Sequence, residues 1–136
     1  MFAPFRHYAD FAGRSGRREF WLFTLFLWAV YLAAFLFVVA VAVVDDDLSD
    51  VAVGVMLVVC LLFWLATIVP GVALSVRRLH DIGQPGWLMA LLALAIAFFS
   101  IFGWIAYMIV MSLPGKREEN RWGPPLGSEA VAEVFA

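Results

Sequence analysis

The 136-residue chain is 65% hydrophobic and 16% aromatic, only 15% of it is charged, and its mean hydropathy is +0.94. A water-soluble chain of this size buries only about two thirds of its surface, so composition excludes a soluble globular domain and names lipid as the solvent. The net charge of −2 says little because the charges are segregated by loop, and the single cysteine, Cys60, excludes an intrachain disulfide.

Residues 1–19 are polar and aromatic, with Arg6, Arg14, Arg17 and Arg18 set against Asp10 and Glu19. Phe2, Phe5, Tyr8 and Phe11 recur at every third position, but Pro4 and Gly13 oppose a stable helix, so the stretch reads as a short interfacial segment. Ser15, four residues before Glu19, suits a turn or an N-cap. Arg17 and Arg18 then fall in the first helical turn, where cations oppose the helix dipole. They must answer to phospholipid headgroups or to nearby carboxylates.

From Phe20 to Val44 the chain is uncharged for 25 residues, long enough to cross a hydrocarbon core of about 30 Å with tilt. Trp21 is placed for an aromatic belt. Ala40-Val41-Ala42 resembles a signal-peptide cleavage site, yet the run far exceeds a signal core, and the helix is expected to be retained. Asp45-Asp46-Asp47-Leu48-Ser49-Asp50 follows, a solvated acidic loop; it lacks the alternating ligands, the glycine and the distant glutamate of a calcium loop. Val51 to Val76 is a second uncharged run, of 26 residues. Pro70 within it predicts a kink and a released carbonyl near Ala66, which a neighbouring helix or a hydroxyl such as that of Thr67 must satisfy.

The polar hinge Arg77-Arg78-Leu79-His80-Asp81-Ile82-Gly83-Gln84-Pro85-Gly86-Trp87 interrupts the apolar half of the chain. Beyond it, Trp87 to Leu113 is 27 residues without charge. By length this is one long tilted helix; a break at Ser100-Ile101-Phe102-Gly103 would make it a hairpin of two short ones. Charge decides for the hairpin. Four arginines precede the first span, the acidic loop has no basic residue, the hinge has two arginines, and the tail carries Lys116, Arg117 and Arg121. The positive-inside rule places the first, third and fourth of these in the cytoplasm, and only a hairpin returns the tail there. Pro114-Gly115 ends the last helix, and Gly123-Pro124-Pro125 prevents another.

The predicted fold class is therefore all-α: a polytopic transmembrane helical protein with two long spans and then a third long span or a short helical hairpin. Its parts are an interfacial segment over 1–19, a transmembrane domain over 20–125 and a flexible tail over 126–136. The charge placement puts both termini on the cytoplasmic side of the membrane.

Three ordered motifs carry a family resemblance: Phe11-x-Gly13-Arg14-x-x-Arg17-Arg18-Glu19-Phe20-Trp21, then Arg77-Arg78-Leu79-His80-Asp81-x-Gly83-x-x-Gly86-Trp87, then Pro114-Gly115 with Asn120-Arg121-Trp122-Gly123. From about residue 11 to 125 the chain resembles the DUF805 family, small bacterial inner-membrane proteins of unknown function. The resemblance implies a compact multi-span domain and no activity. Trp122 stands where the family motif usually has tyrosine, and the acidic loop and the length of the second apolar run are unusual for it.

The hairpin arrangement gathers Arg14, Arg17, Arg18, Glu19, Arg77, Arg78, His80, Asp81, Asn120 and Arg121 on one cytoplasmic rim. Charge at the edge of lipid is costly unless paired or hydrated, which makes Glu19 and Asp81 natural partners for two of the arginines. The same arginines among glycines could instead receive phosphate groups. His80-Asp81 is a titratable pair, but no serine or cysteine nucleophile is tied to it, and the one other histidine is His7. No catalytic residue, metal ligand or cofactor is assigned. The expected role is a membrane-embedded interaction or lipid-contacting module. The competing expectation is a small enzyme or transporter subunit acting on an anionic amphiphile or a phosphate-containing ligand. Expected partners are membrane lipids, anionic ones included, and a second copy or another membrane protein; nucleic acid is not among them.

Overall fold

The uncharged runs become helices because a backbone in hydrocarbon must satisfy its own hydrogen bonds. In the computed structural model residues 8–44 and 46–126 are described; Phe2, Pro4, Phe5, Arg6, His7, Asp45 and the tail beyond Leu126 lie outside the described residues. The element order is α1 (Arg17–Val44), α2 (Asp46–Asp81), α3 (Leu88–Phe99) and α4 (Ile101–Ser112). The first two, of 28 and 36 residues, contain the two helices long and apolar enough to cross a membrane.

Both long helices begin earlier than the apolar runs do. α1 takes in Arg17, Arg18 and Glu19. α2 starts at Asp46, so the acidic stretch expected to be a loop is helical from that residue on. α2 also runs past the expected end at Val76 through the first half of the polar hinge. It stops in a glycine-terminated motif: Gly83 N–H donates to the His80 carbonyl at 3.0 Å and Gln84 N–H to the Leu79 carbonyl at 2.8 Å. Gly83 has φ +81°, the left-handed conformation that this cap requires and that a side chain would strain. Pro85 follows, where the helix can no longer continue.

The third apolar run is a hairpin and not a single span. α3 and α4 have 12 residues each, about 18 Å of helix, and meet at Ser100. Ser100 has φ 46° and ψ −110°, so one residue reverses the chain. Its N–H donates to the Ile96 carbonyl at 2.9 Å and its own carbonyl accepts from Trp104 N–H at 3.0 Å, leaving neither group bare in lipid. The arms can close because of Gly103. A β-carbon there would lie 2.2 Å from the Ala95 carbonyl oxygen.

α2 is continuous through Pro70. The carbonyl that Pro70 cannot bond, that of Ala66, accepts a hydrogen bond from the Tyr8 hydroxyl at 2.8 Å. The Thr67 hydroxyl, the expected donor, instead bonds Phe63 and Trp64 carbonyls at 2.8 and 3.2 Å. Ala66 lies 11 residues before Arg77, about 16 Å along the helix. Since Ser15 N–H donates to the Arg77 carbonyl at 3.1 Å, the stretch from Ser15 back to Tyr8 follows the flank of α2.

The buried apolar core is confined to one end. Phe20 and Phe23 of α1, Leu74 and Leu79 of α2, Leu92 of α3, and Tyr107 and Met111 of α4 form it, with Ile82 just past α2. The far halves of α1 and α2, including Leu32, Phe35, Leu36, Val51, Leu57 and Val58, are exposed and face lipid. Lipid tails are as apolar as these side chains, so nothing drives them into a core.

Candidate functional site

The core end of the bundle is where the polar motifs meet, and they are brought together by one carboxylate. Asp81, in the last turn of α2, accepts from Arg14 Nε at 3.0 Å and pairs on its other oxygen with Arg78 Nη1. The Arg14, Arg78 and Asp81 side chains are 2%, 0% and 6% exposed. Two guanidinium groups taken out of water around a single carboxylate would be unstable without further acceptors. Backbone carbonyls supply them.

Arg78 Nε donates to the Met111 carbonyl at 3.1 Å, and its Nη2 donates to that of Leu113. These are among the last carbonyls of α4, which have no partner within the helix and carry the negative end of its dipole. Arg78 is thus a buried cation closing the hairpin's returning arm onto α2. Arg14 does the same for the tail. Its Nη1 donates to the Glu118 carbonyl at 3.1 Å and its Nη2 to the Asp81 carbonyl at 3.3 Å and to that of Lys116. Lys116 N–H in turn donates to the Asp81 carbonyl at 2.9 Å. The motif before α1 and the segment after α4 therefore lie on one side of the bundle.

The closing motif docks on the α2 terminus as well, and Arg14 Nη1 also meets its Gly123 carbonyl at 3.4 Å. Asn120 Nδ2 donates to the His80 carbonyl at 3.0 Å, and Asn120 Oδ1 accepts from Trp122 N–H at 3.0 Å. That turn lays the Trp122 ring flat on the His80 imidazole, centroids 4.4 Å apart and planes 10° apart. Arg121 covers the same indole at 3.9 Å. His80 Nδ1 meets the Gly13 carbonyl at 3.1 Å; a carbonyl only accepts, so Nδ1 carries the proton.

A second, looser pair joins the starts of α1 and the end of α2. Glu19 Oε2 accepts from the Ser15 hydroxyl at 2.5 Å, and its Oε1 is 3.6 Å from Arg77 Nη2. The Arg77 side chain is 7% exposed, yet its Nε and Nη2 have no hydrogen-bond acceptor among the described residues. Arg17 and Arg18 are not drawn in. Both are exposed and carry no ion pair or side-chain hydrogen bond among the described residues. Among the same residues, no three His, Cys, Asp or Glu side chains are grouped as metal ligands would be.

Residues 8–124 match the profile described as a protein of unknown function, DUF805. The chain belongs to the DUF805 family. Among proteins of Escherichia coli K12, it is 32% identical to inner membrane protein YhaI over 127 residues, 90% of this chain and 92% of that one. Inner membrane protein YhaH is 28% identical over 119 residues, 88% of each chain. The uncharacterized protein YiiR is 35% identical over 96 residues, 71% of this chain and 52% of its own length. No solved structure matches. This DUF805 chain is thus a multi-pass inner-membrane protein.

Sequence reasoning named the arginines, Glu19, His80, Asp81 and Asn120. It did not find the roles of the Met111, Leu113, Lys116 and Glu118 carbonyls, because backbone acceptors leave no mark in a sequence. The Trp122 stack and the Tyr8 bond were missed too. Two signals pointed to them: the aromatic place in the closing motif, and an aromatic periodicity preceding a helix with an orphaned carbonyl.

Proposed function

We propose that this protein is a membrane-embedded lipid-contacting module whose cytoplasmic rim gathers anionic phospholipid headgroups. The observation that carries this reading is the state of Arg17 and Arg18. The neighbouring Arg14 and Arg78 are consumed by Asp81 and by backbone carbonyls, whereas these two stand exposed in the first turn of α1 and have no partner among the described residues. A cation there is disfavoured by the helix dipole and gains only if an external anion meets it. Trp21, one helical turn along and 37% exposed, supplies the flat amphipathic ring that belongs at headgroup depth. The positive-inside rule assigns this end to the cytoplasmic leaflet, whose negative surface attracts each nearby Lys or Arg by about 1 kcal/mol.

An enzyme or transporter subunit acting on an anionic amphiphile would use the same basic rim. It draws less support, because His80 and Asp81 are engaged in holding the chain's own segments together.

The test is the lipid shell of the protein in nanodiscs of phosphatidylglycerol and phosphatidylcholine. Phosphatidylglycerol should be enriched around the parent, less so as salt rises, and not around an Arg17→Gln/Arg18→Gln variant. A shell of bulk composition around the parent at low salt would overturn the reading.

A further inference from the structure

An apolar groove of about 600 Å³ opens on the flank of the bundle between α1, α2 and the hairpin. Phe23, Leu27, Trp28, Trp64, Trp104 and Met108 are among the residues that wall it. Along α1 it extends from Phe20 to Tyr31, and along α2 from Ser75 up to Trp64. Each of those stretches is 12 residues, about 16 Å of helix from first to last. Half of a hydrocarbon core of about 30 Å is about 15 Å, so the groove is one leaflet deep. At its rim end it is bounded by the buried core, where Met111 and Tyr107 of the hairpin pack against α1 and α2, while farther in Trp28, Trp64 and Trp104 stand exposed along its walls.

Charge marks which leaflet component enters. Arg17, Trp21, Thr24 and Trp28 follow one another on α1 at steps of four, three and four, a single stripe of the helix. Thr24 and Trp28 line the groove, and Arg17 stands at the rim end of the stripe, exposed and without a partner among the described residues. From this continuity of an apolar slot with a free cation we infer that the groove takes one acyl chain of an anionic phospholipid, with Arg17 meeting its phosphate. The groove converts the general headgroup attraction proposed above into a site for a single lipid, and its preference for an anionic headgroup rests on that reading.

Gly71 provides the test. It lines the groove, and a β-carbon on it would meet nothing nearer than the Phe23 ring at 3.8 Å, an ordinary contact. Gly71→Phe is therefore chosen to fill the slot, and Gly71→Ala, whose methyl makes only that ordinary contact, to leave it open. The full-length protein is reconstituted in vesicles of phosphatidylglycerol and phosphatidylcholine in equal amounts, extracted in mild detergent and weighed by native mass spectrometry. The parent and Gly71→Ala should each retain one phospholipid per chain, phosphatidylglycerol over phosphatidylcholine by about fivefold, as one interfacial arginine supplies. Gly71→Phe should retain none at an unchanged melting temperature, and Gly71→Leu serves if the larger ring prevents folding. Arg17→Gln should retain a lipid but bring the two headgroups near parity. A folded groove-filling variant that keeps its lipid, a parent that carries none, or a lipid-free dimer seated through this face would each overturn the inference. If retention depends on Gly71 but no headgroup preference exists, the chain site stands and the rim reading falls; preference without dependence on Gly71 does the reverse.

Discussion

Replacing Asp81 with asparagine removes the one negative charge shared by two buried guanidinium groups while nearly preserving shape. In the parent, one carboxylate oxygen accepts from Arg14 at 3.0 Å and the other from Arg78. Hydrogen bonds to charged groups contribute about 1.5–3 kcal/mol each, so the two together contribute about 3–6. The amide of asparagine keeps one acceptor oxygen for one arginine and turns an N–H₂ towards the other. With the Arg14 and Arg78 side chains 2% and 0% exposed, water cannot take over the stranded charge. The expected loss is therefore about 3–5 kcal/mol, the range for breaking a buried pair from one side. Glu19→Gln should cost far less, about 1 kcal/mol, because Glu19 is 26% exposed and stands 3.6 Å from Arg77. Exposed Glu119 is the control, and Glu119→Gln should be neutral. Thermal unfolding in mild detergent, followed by far-ultraviolet circular dichroism, should rank the melting temperatures parent and Glu119→Gln, then Glu19→Gln, then Asp81→Asn. In an Arg14→Gln background Asp81→Asn should cost less than alone, since one stranded cation is already gone. If Asp81→Asn melts with the parent and the control, the rim is hydrated and the pairing argument is wrong.

Tyr8→Phe should lower stability by about 0.5–1.5 kcal/mol through loss of the bond to the Ala66 carbonyl, and Pro70→Ala should erase that cost by restoring an N–H to the same carbonyl; equal effects of Tyr8→Phe in both backgrounds would refute this account. Gly103→Ala should destabilise by about 1–3 kcal/mol or more, since its methyl would collide with the α3 backbone, whereas Gly54→Ala, which meets nothing within 4 Å, should be neutral or stabilising by up to about 1 kcal/mol; the same melts compare them, and equal melting would show that the hairpin arms are not in contact at Gly103.

Much of this protein is determined by its sequence alone because lipid tolerates so few backbone solutions. Three uncharged runs separated by polar motifs admit only membrane helices, and the distribution of arginine and lysine orients them. Charge also separated the hairpin from a single third span, which length by itself did not: Lys116, Arg117 and Arg121 had to return to the side of Arg14. What only the tertiary structure decided is how charge is satisfied where water is scarce. The helix ends at Asp46 and Asp81 depend on which polar side chains the backbone terminus can accommodate, and the apolar boundary does not record that. Asp81 proved to serve two arginines and Glu19 a looser one, a difference set by approach distances across residues 67 and 58 positions apart in the chain. Backbone carbonyls at Met111, Leu113 and Lys116 complete the buried cations. Every residue has such a carbonyl, so composition and spacing cannot single these out; only the packing of the α4 terminus against α2 leaves them unpaired beside an arginine.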